Sequence, residues 1–187
     1  QAIDELVSAG VEAVAVCFLW SFKHPEHERR IAEMIAERAP DVFVTTSSEL
    51  VPKWGEYERT TAVALNAYIG PLTSGYLGRL GETVEQLGNP QPMQITQCGG
   101  GTISLNRARR APLLTLDSGP VSGVTGSRYL GKLIGQPNII TTDMGGTSFD
   151  VGIINDGHPA FSYVSNVNQY ESFLPKVDVQ AIGNGGG

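Results

Sequence analysis

Apolar and polar positions change period several times along the first fifty residues. Ile3, Leu6 and Val7 stand at helical spacing in QAIDELVSAG. Val11 to Trp20 (VEAVAVCFLW) is β-branched and apolar on both faces after Glu12, which predicts a strand buried from both sides, with Cys17 in the core. Pro25 precedes EHERRIAEMIAERAP, whose first turn is acidic, whose Ile31, Met34 and Ile35 make one face, and which Arg38 and Pro40 close. That pattern predicts a surface helix of about three turns. Val42 to Thr45 predicts another short strand. Alternating helix and strand argues for an α/β layer.

From Glu56 to about Leu87 the apolar spacing is helical, with Leu72, Tyr76, Leu80, Val84 and Leu87 three or four apart. Gly70 and Pro71 interrupt it, so two helices meeting at a proline bend are expected. Met93 to Gln97 predicts a strand running into Cys98-Gly99-Gly100-Gly101, and the basic run NRARRAP then predicts a solvated connection. Ser118-Gly119-Pro120 opens a helix expected to continue through Ile134, with Ser118 or Asp117 as its cap and Pro120 in the first turn. Gly123, Gly126 and Ser127 leave one side of that helix nearly bare. Since a helical glycine costs about 1 kcal/mol, the bareness predicts close approach by another backbone. Asn138 to Thr142, Phe149 to Ile154 and Ala160 to Val164 predict a three-stranded antiparallel meander over 138–165, with GGTS at one hairpin tip and Asn155-Asp156-Gly157 at the other.

Composition narrows the possible roles. In 187 residues, 13 Lys plus Arg stand against 19 Asp plus Glu, a formal charge of −6 that argues against a nucleic-acid partner. Apolar residues at 41% and charged residues at 17% suit a globular core. The longest uncharged apolar run, Ala13 to Trp20, falls well short of the roughly 20 residues a membrane span needs, so no membrane is expected. Cys17 and Cys98, far apart and outside any CxxC, support neither a zinc ribbon nor a disulfide framework and point to a reducing cytoplasm. A start without Met and an end in GNGGG predict an excerpt from a longer protein.

The densest chemistry lies in TTDMGGTSFDVGIINDG. A hairpin tip without Cβ atoms lets successive backbone N–H groups at Gly145 and Gly146 point at an anion, and Thr147 and Ser148 add hydroxyl donors. Asp143, ending the incoming strand, is placed to hold Mg2+ through water or to orient a nucleophile, and Asp150 returns on the next strand. On these residues alone, a phosphate site and a plain turn are both open.

The run Asp143 to Val151 resembles the second phosphate loop of the actin, sugar kinase and heat-shock chaperone ATPase superfamily, preceded at the expected separation by a proline-led helix of small residues, here Ser118 to Gly123. More narrowly, SSELVPKWGEYERTTAVALNAYIGP, QCGG, LDSGPVSGV, NIITTDMGGTSFDVGIINDG and VDVQAIGNGGG resemble, in that order, the hydantoinase A, 5-oxoprolinase and acetone carboxylase family, over essentially the whole chain. The departures are Phe149, Gln97 with Cys98, and Asn184, where many relatives carry Thr, Ser with Asn, and Ala. The family's first phosphate loop, a DxGGTxxD pattern, is absent, so half an ATP site is expected here.

The resemblance implies an α/β excerpt of an actin-like ATPase, a ribonuclease-H-like two-domain fold. Residues 1–55 would end the amino-terminal hydantoinase/oxoprolinase domain, and 56–187 would begin the central hydantoinase A domain. It implies ATP and Mg2+ as cofactors, Asp143 as catalytic and metal residue through water, and Gly145, Gly146, Thr147, Ser148 and Asp150 as the nucleotide-binding residues. It implies a cytoplasmic, oligomeric enzyme with a hydantoinase B-type subunit or domain as partner, opening cyclic amides of hydantoin or 5-oxoproline type by phosphorylating the carbonyl oxygen; the excerpt alone would be inactive. A ketone carboxylase subunit and a nucleotide-dependent sensor of the same fold are the alternatives.

Other residues carry two readings each. His24 and His27 are spaced to ligate metal or to cap and pair with Glu26 and Glu28. Cys98 before three glycines suits an activated thiolate or a core residue. Glu58, Arg59, Asn66 and Tyr68 fall in a stretch that matches the family; Arg59 and Asn66, seven apart on one helix face, either meet substrate or buttress the bend at Pro71. Gly183 to Gly187 would approach nucleotide or substrate.

Overall fold

The computed structural model describes residues 1–186. In chain order the helices are α1 (Ala2–Ser8), α2 (Glu26–Arg38), α3 (Ser47–Leu50), α4 (Glu56–Gln86), α5 (Leu105–Arg110) and α6 (Ser118–Ile134). The strands are β1 (Ala13–Val16), β2 (Phe43–Thr46), β3 (Gln94–Thr96), β4 (Thr102–Ser104), β5 (Ile139–Met144), β6 (Phe149–Asn155), β7 (His158–Pro159), β8 (Phe161–Ser162), β9 (Ser165–Val167), β10 (Tyr170–Ser172), β11 (Lys176–Val177) and β12 (Val179–Ile182). They form two compact units. The first takes Gln1–Met93, Ser104–Leu113 and Val164–Phe173; the second takes Gln94–Ile103, Leu114–Tyr163 and the chain from Leu174 onward. No helix among the described residues is long and apolar enough to cross a membrane.

In the first unit β1 and β2 pair in parallel, Ala13 with Phe43 through Val16 with Thr46, with α2 as the crossover between them. The strand predicted over Val11 to Trp20 is much shorter than its apolar run. Trp20 turns the chain at φ 61°, and its carbonyl accepts from the Lys23 and His24 N–H groups. Phe18, Leu19 and Trp20 are therefore exposed, and Cys17 is only half-buried. An apolar run alone does not distinguish a buried strand from a turn held by hydrogen bonds further along the chain.

The expected pair of helices at Pro71 is one helix of 31 residues. Ala62, Val63, Ala67 and Leu77 are buried along it, on both sides of the proline. Packing at both ends outweighs the roughly 3 kcal/mol that an interior proline costs. The basic run predicted as a loop is α5: the Ser104 hydroxyl accepts from the Arg107 N–H at 3.2 Å, and Arg107, Arg109 and Arg110 fill the last turn, where the helix dipole favours cations. Its Ala108 is buried, which a solvated loop would not provide.

Asn66 lies fully buried on α4 and makes hydrogen bonds through both ends of its amide. Its amide donates to Thr45 Oγ1 at 3.0 Å and to the Arg110 carbonyl at 3.1 Å, and Oδ1 accepts from the Leu113 N–H at 3.0 Å. This residue ties β2, α5 and the segment after it to α4. Asn66→Leu is expected to lower stability by on the order of 3 kcal/mol in denaturant unfolding, because the Thr45 hydroxyl, the Arg110 carbonyl and the Leu113 N–H lose their bonds at once.

In the second unit β5 and β6 form an antiparallel hairpin, from Ile139 opposite Ile154 to Met144 opposite Phe149. The third strand expected over Ala160 to Val164 does not form beside β6. Only β7 pairs with the end of β6; β8 pairs with β11, and the long neighbour of β6 is β12, from Val179 opposite Gly152 to Ile182 opposite Phe149. The turn at Asp156 and Gly157 follows expectation, both with positive φ (48° and 75°) as a two-residue I′ hairpin requires. Helix α6 occupies the predicted span and packs Val121 and Val124 against Ile154 and Val177, with Ile139 and Val179 alongside. Asp117 precedes it at φ 53°, but its carboxylate makes no capping bond; it takes the Lys176 ammonium at 2.6 Å instead.

The close backbone approach expected at Gly123 and Gly126 is absent: a Cβ added at either meets nothing within 4 Å among the described residues. The crowded glycine is Gly152 on β6, where a Cβ would lie 2.5 Å from Val124 Cγ2 and 2.7 Å from Thr141 Oγ1. The bare side of α6 faces an opening.

Candidate phosphate site

Strand alternation puts Ile139, Thr141 and Asp143 on one face of β5, and their partners Ile154, Gly152 and Asp150 on the same face of β6. The inner part of this face is covered by α6. At its outer end Asp143 and Asp150 stand directly opposite each other. Like charges at opposed positions weaken a hairpin, so the arrangement has no benefit to folding. A cleft of about 60 Å³ leads to them, lined by Gly123 and Ser127 of α6 and by Thr141, Asp143, Asp150 and Gly152. The small residues of α6 therefore leave room beside the carboxylates.

Beyond the two aspartates the hairpin closes over Gly145 to Ser148. The Gly145 N–H donates to the Ser148 carbonyl at 3.0 Å, which fixes the tip. Among the described residues nothing accepts a hydrogen bond from the N–H of Gly146 or Thr147 or from the Thr147 hydroxyl. Ser148 differs, its hydroxyl donating to Asp150 Oδ2 at 3.1 Å, so Asp150 is held in place while Asp143 stays exposed and free. All six predicted site residues thus fall on one hairpin end, entirely within the second unit.

Unused N–H donors at a tip without side chains suit phosphate oxygens, and two carboxylates behind them suit Mg2+, which binds through one or two carboxylates together with waters and substrate phosphates. The residues present therefore fit the phosphate end of a nucleotide and its metal. Asp143 would hold Mg2+ through water, and Gly146 and Thr147 would hold phosphate. No group of three His, Cys, Asp or Glu residues among the described residues is placed to bind a metal by protein ligands alone. His24 and His27, both exposed at the start of α2, gain no further ligand there.

Cys98 is not an activated nucleophile. It is 1% exposed, its Sγ lies 3.7 Å from the Pro175 carbonyl, and burial pushes its thiol up to about 11 despite the nearby Lys176 charge. It is a neutral thiol at pH 7. Asn66 is the buttress described above, and Tyr68 is exposed on the other side of its helix. Arg59 is buried at 1% exposure; Nη2 donates to the Phe18 carbonyl at 2.6 Å and the guanidinium lies 5.6 Å from the Phe22 ring centroid, while Nε and Nη1 have no partner among the described residues.

Glu28 is the polar residue that the pattern misplaced. Read as part of an exposed first turn, it is fully buried, and its carboxylate accepts from Ser47 Oγ at 2.6 Å, Ser48 N–H at 2.7 Å and Phe18 N–H at 2.8 Å. The adjacent serines after β2 are the only local sign of it in the sequence.

Fold and site together define a mixed α/β protein with a glycine-tipped, carboxylate-based hairpin, consistent with an actin-like ATPase fold. The chain belongs to the hydantoinase/oxoprolinase family: the family description "Hydantoinase/oxoprolinase" matches residues 59–187, and "Hydantoinase/oxoprolinase N-terminal region" matches residues 1–39. It is 37% identical over 186 residues to caprolactamase subunit alpha of Pseudomonas jessenii, covering all of this chain and 27% of that one. It is 30% identical over 191 residues to the acetone carboxylase beta subunit of Xanthobacter autotrophicus, covering all of this chain and 26% of that one. The crystal structure of the ATP-dependent caprolactamase superposes with a TM-score of 0.84 at 35% identity, over 100% of this chain and 27% of that one. The nucleotide-free structure of acetone carboxylase does so with a TM-score of 0.85 at 30% identity, over 98% and 26%. The chain thus spans about a quarter of the length of these relatives.

Proposed function

We propose that the whole protein is an ATP-dependent cyclic amidase, and that this chain supplies one phosphate-binding half of its nucleotide site. The carrying observation is the hairpin end: two N–H groups and a hydroxyl with no partner among the described residues, at a glycine tip with opposed carboxylates behind it. In this reading ATP supplies the phosphoryl group that turns an unreactive carbonyl oxygen into a leaving group. The N–H groups of Gly146 and Thr147 fix the phosphate end, the Thr147 hydroxyl adds a donor, Ser148 orients Asp150, and Asp143 stands where charge on Mg2+ or on the attacking group is balanced. Water then adds at the activated carbon, the ring C–N bond breaks as the amine takes a proton, and a second water releases phosphate from the acyl phosphate so formed, leaving a carboxylate. The likeness to caprolactamase subunit alpha favours a lactam, hydantoin or 5-oxoproline ring as substrate.

The two matched ranges support a division in which residues 1–55 end the amino-terminal domain and 56–187 begin the central one. Three relatives are named as subunits: caprolactamase alpha, acetone carboxylase beta and acetophenone carboxylase gamma. That supports a partner subunit; we propose that it is of hydantoinase B type, in a cytoplasmic oligomer, and that this chain is inactive by itself. The second reading, a ketone carboxylase subunit, is favoured by the superposition on acetone carboxylase. The two separate on ATP hydrolysis by the full-length protein with its partner, screened against caprolactam, hydantoins and 5-oxoproline and against acetone or acetophenone with bicarbonate. Phosphate release coupled to ring opening is expected; release that only ketone and bicarbonate stimulate overturns the amidase reading.

A further inference from the structure

After β12 leaves its pairing with β6 at Ile182 opposite Phe149, the chain folds across the hairpin tip. The Asn184 N–H donates to the Ile182 carbonyl at 2.7 Å, and the Gly186 N–H donates to the Gly145 carbonyl at 3.0 Å. Between them, a Cβ on Gly185 would lie 2.5 Å from the carbonyl carbon and oxygen of Gly146 and from the nitrogen of Thr147. All three are backbone atoms, so no side chain can swing away to relieve the contact. Gly183, by contrast, has nothing within 4 Å of an added Cβ among the described residues, and Gly186 meets there only the flexible Met144 side chain, at 3.4 Å from Sδ. Gly185 does not have positive φ, so space alone demands a glycine there.

We infer that Asn184 to Gly186 is a strap that sets the shape of the phosphate-binding tip, with Gly185 as a positioning residue for the polyphosphate of a nucleoside triphosphate. The inference rests on the phosphate reading of the tip proposed above. Its physical content is that the peptide joining Gly146 to Thr147, whose N–H is one of the unused donors of the tip, is packed against by a residue without a side chain. A Cβ at 185 must push this peptide aside, re-aiming the Thr147 N–H while leaving Asp143 and the sheet beneath it in place.

In the full-length enzyme Gly185→Ala should raise the Kd of a non-hydrolysable ATP analogue with Mg2+, and the KM for ATP, by roughly tenfold or more, the scale of an overpacked contact. Turnover at saturating ATP should be largely kept, and Gly183→Ala should bind as the wild type does. A second measurement, on the wild-type enzyme, covers the case in which Gly185→Ala does not fold. Hydrogen exchange should slow on adding the analogue both in residues 144–149 and in residues 183–186. Protection of the tip without the strap, or wild-type affinity in Gly185→Ala, overturns the strap and leaves the phosphate reading standing. No protection of the tip overturns both.

Discussion

Asp143→Asn in the full-length enzyme with its partner is expected to keep the fold and nearly all of the nucleotide affinity while losing turnover by about 10²-fold or more, the scale of one lost electrostatic contact in a transition state. The side chain is exposed and without a partner among the described residues, so nothing in the fold depends on its charge. Its removal should even relieve the repulsion from Asp150 across the strand pair, giving equal or slightly higher thermal stability. Phosphate would still find the Gly146 and Thr147 N–H groups. What is lost is the negative charge that balances Mg2+ or orients the attacking group, a contribution that grows as charge moves during phosphoryl transfer. Steady-state kinetics beside equilibrium nucleotide binding checks it, and unchanged turnover would remove Asp143 from the chemistry.

Glu28→Ala should destabilise the first unit by about 3 kcal/mol, because the Phe18 and Ser48 N–H groups lose their acceptor and the buried Ser47 hydroxyl keeps only Ser21 Oγ, at 3.0 Å. The wild type carries a pH signature of the same contact. Burial by itself would push the Glu28 carboxyl up, but the bonds from Ser47, Ser48 and Phe18 hold it below its ordinary value of 4.5. A carboxylate whose folded pKa is depressed contributes its full stability above the unfolded value and loses it as pH falls through the folded one. Denaturant unfolding from pH 7 downward should therefore show stability falling below about pH 4.5 in the wild type, with this part of the decline missing in Glu28→Ala.

Elements with strong local punctuation were legible in the sequence. Helix α6 follows its proline-led start and the Gly135 end at φ 70°, and the β5–β6 hairpin follows two β-branched runs around GGTS. The six residues proposed for the site all lie between Asp143 and Asp150 on one hairpin end, so the sequence presents them together. What local pattern missed was set by distant partners. The neighbour of β6 is β12, some thirty residues further along, where a short Val179–Ile182 segment competes successfully with the stretch after the Asp156 turn. The exposure of Phe18 to Trp20 depends on Glu28 and Arg59 holding the backbone at Phe18, and neither bond leaves a mark in the apolar pattern. Cys98 beside three glycines kept two readings open because sequence shows neighbours and not burial, and its 1% exposure decides for the core. The glycines of α6 suggested a packed helix face when the space they leave opens toward Asp143.

The most direct test of the account is the nucleotide affinity of the full-length enzyme carrying Gly146→Val. Gly146 does not have positive φ, and a Cβ added there meets nothing within 4 Å among the described residues, so their fold has no need of glycine at this position. Any loss must come from what binds outside the tip, where a β-branched side chain would stand in the path of a phosphate. The expected result is an unchanged melting temperature with Mg·ATP binding weakened by roughly tenfold or more, about 1.4 kcal/mol. Wild-type affinity in Gly146→Val would contradict the phosphate site and leave GGTS a plain hairpin turn.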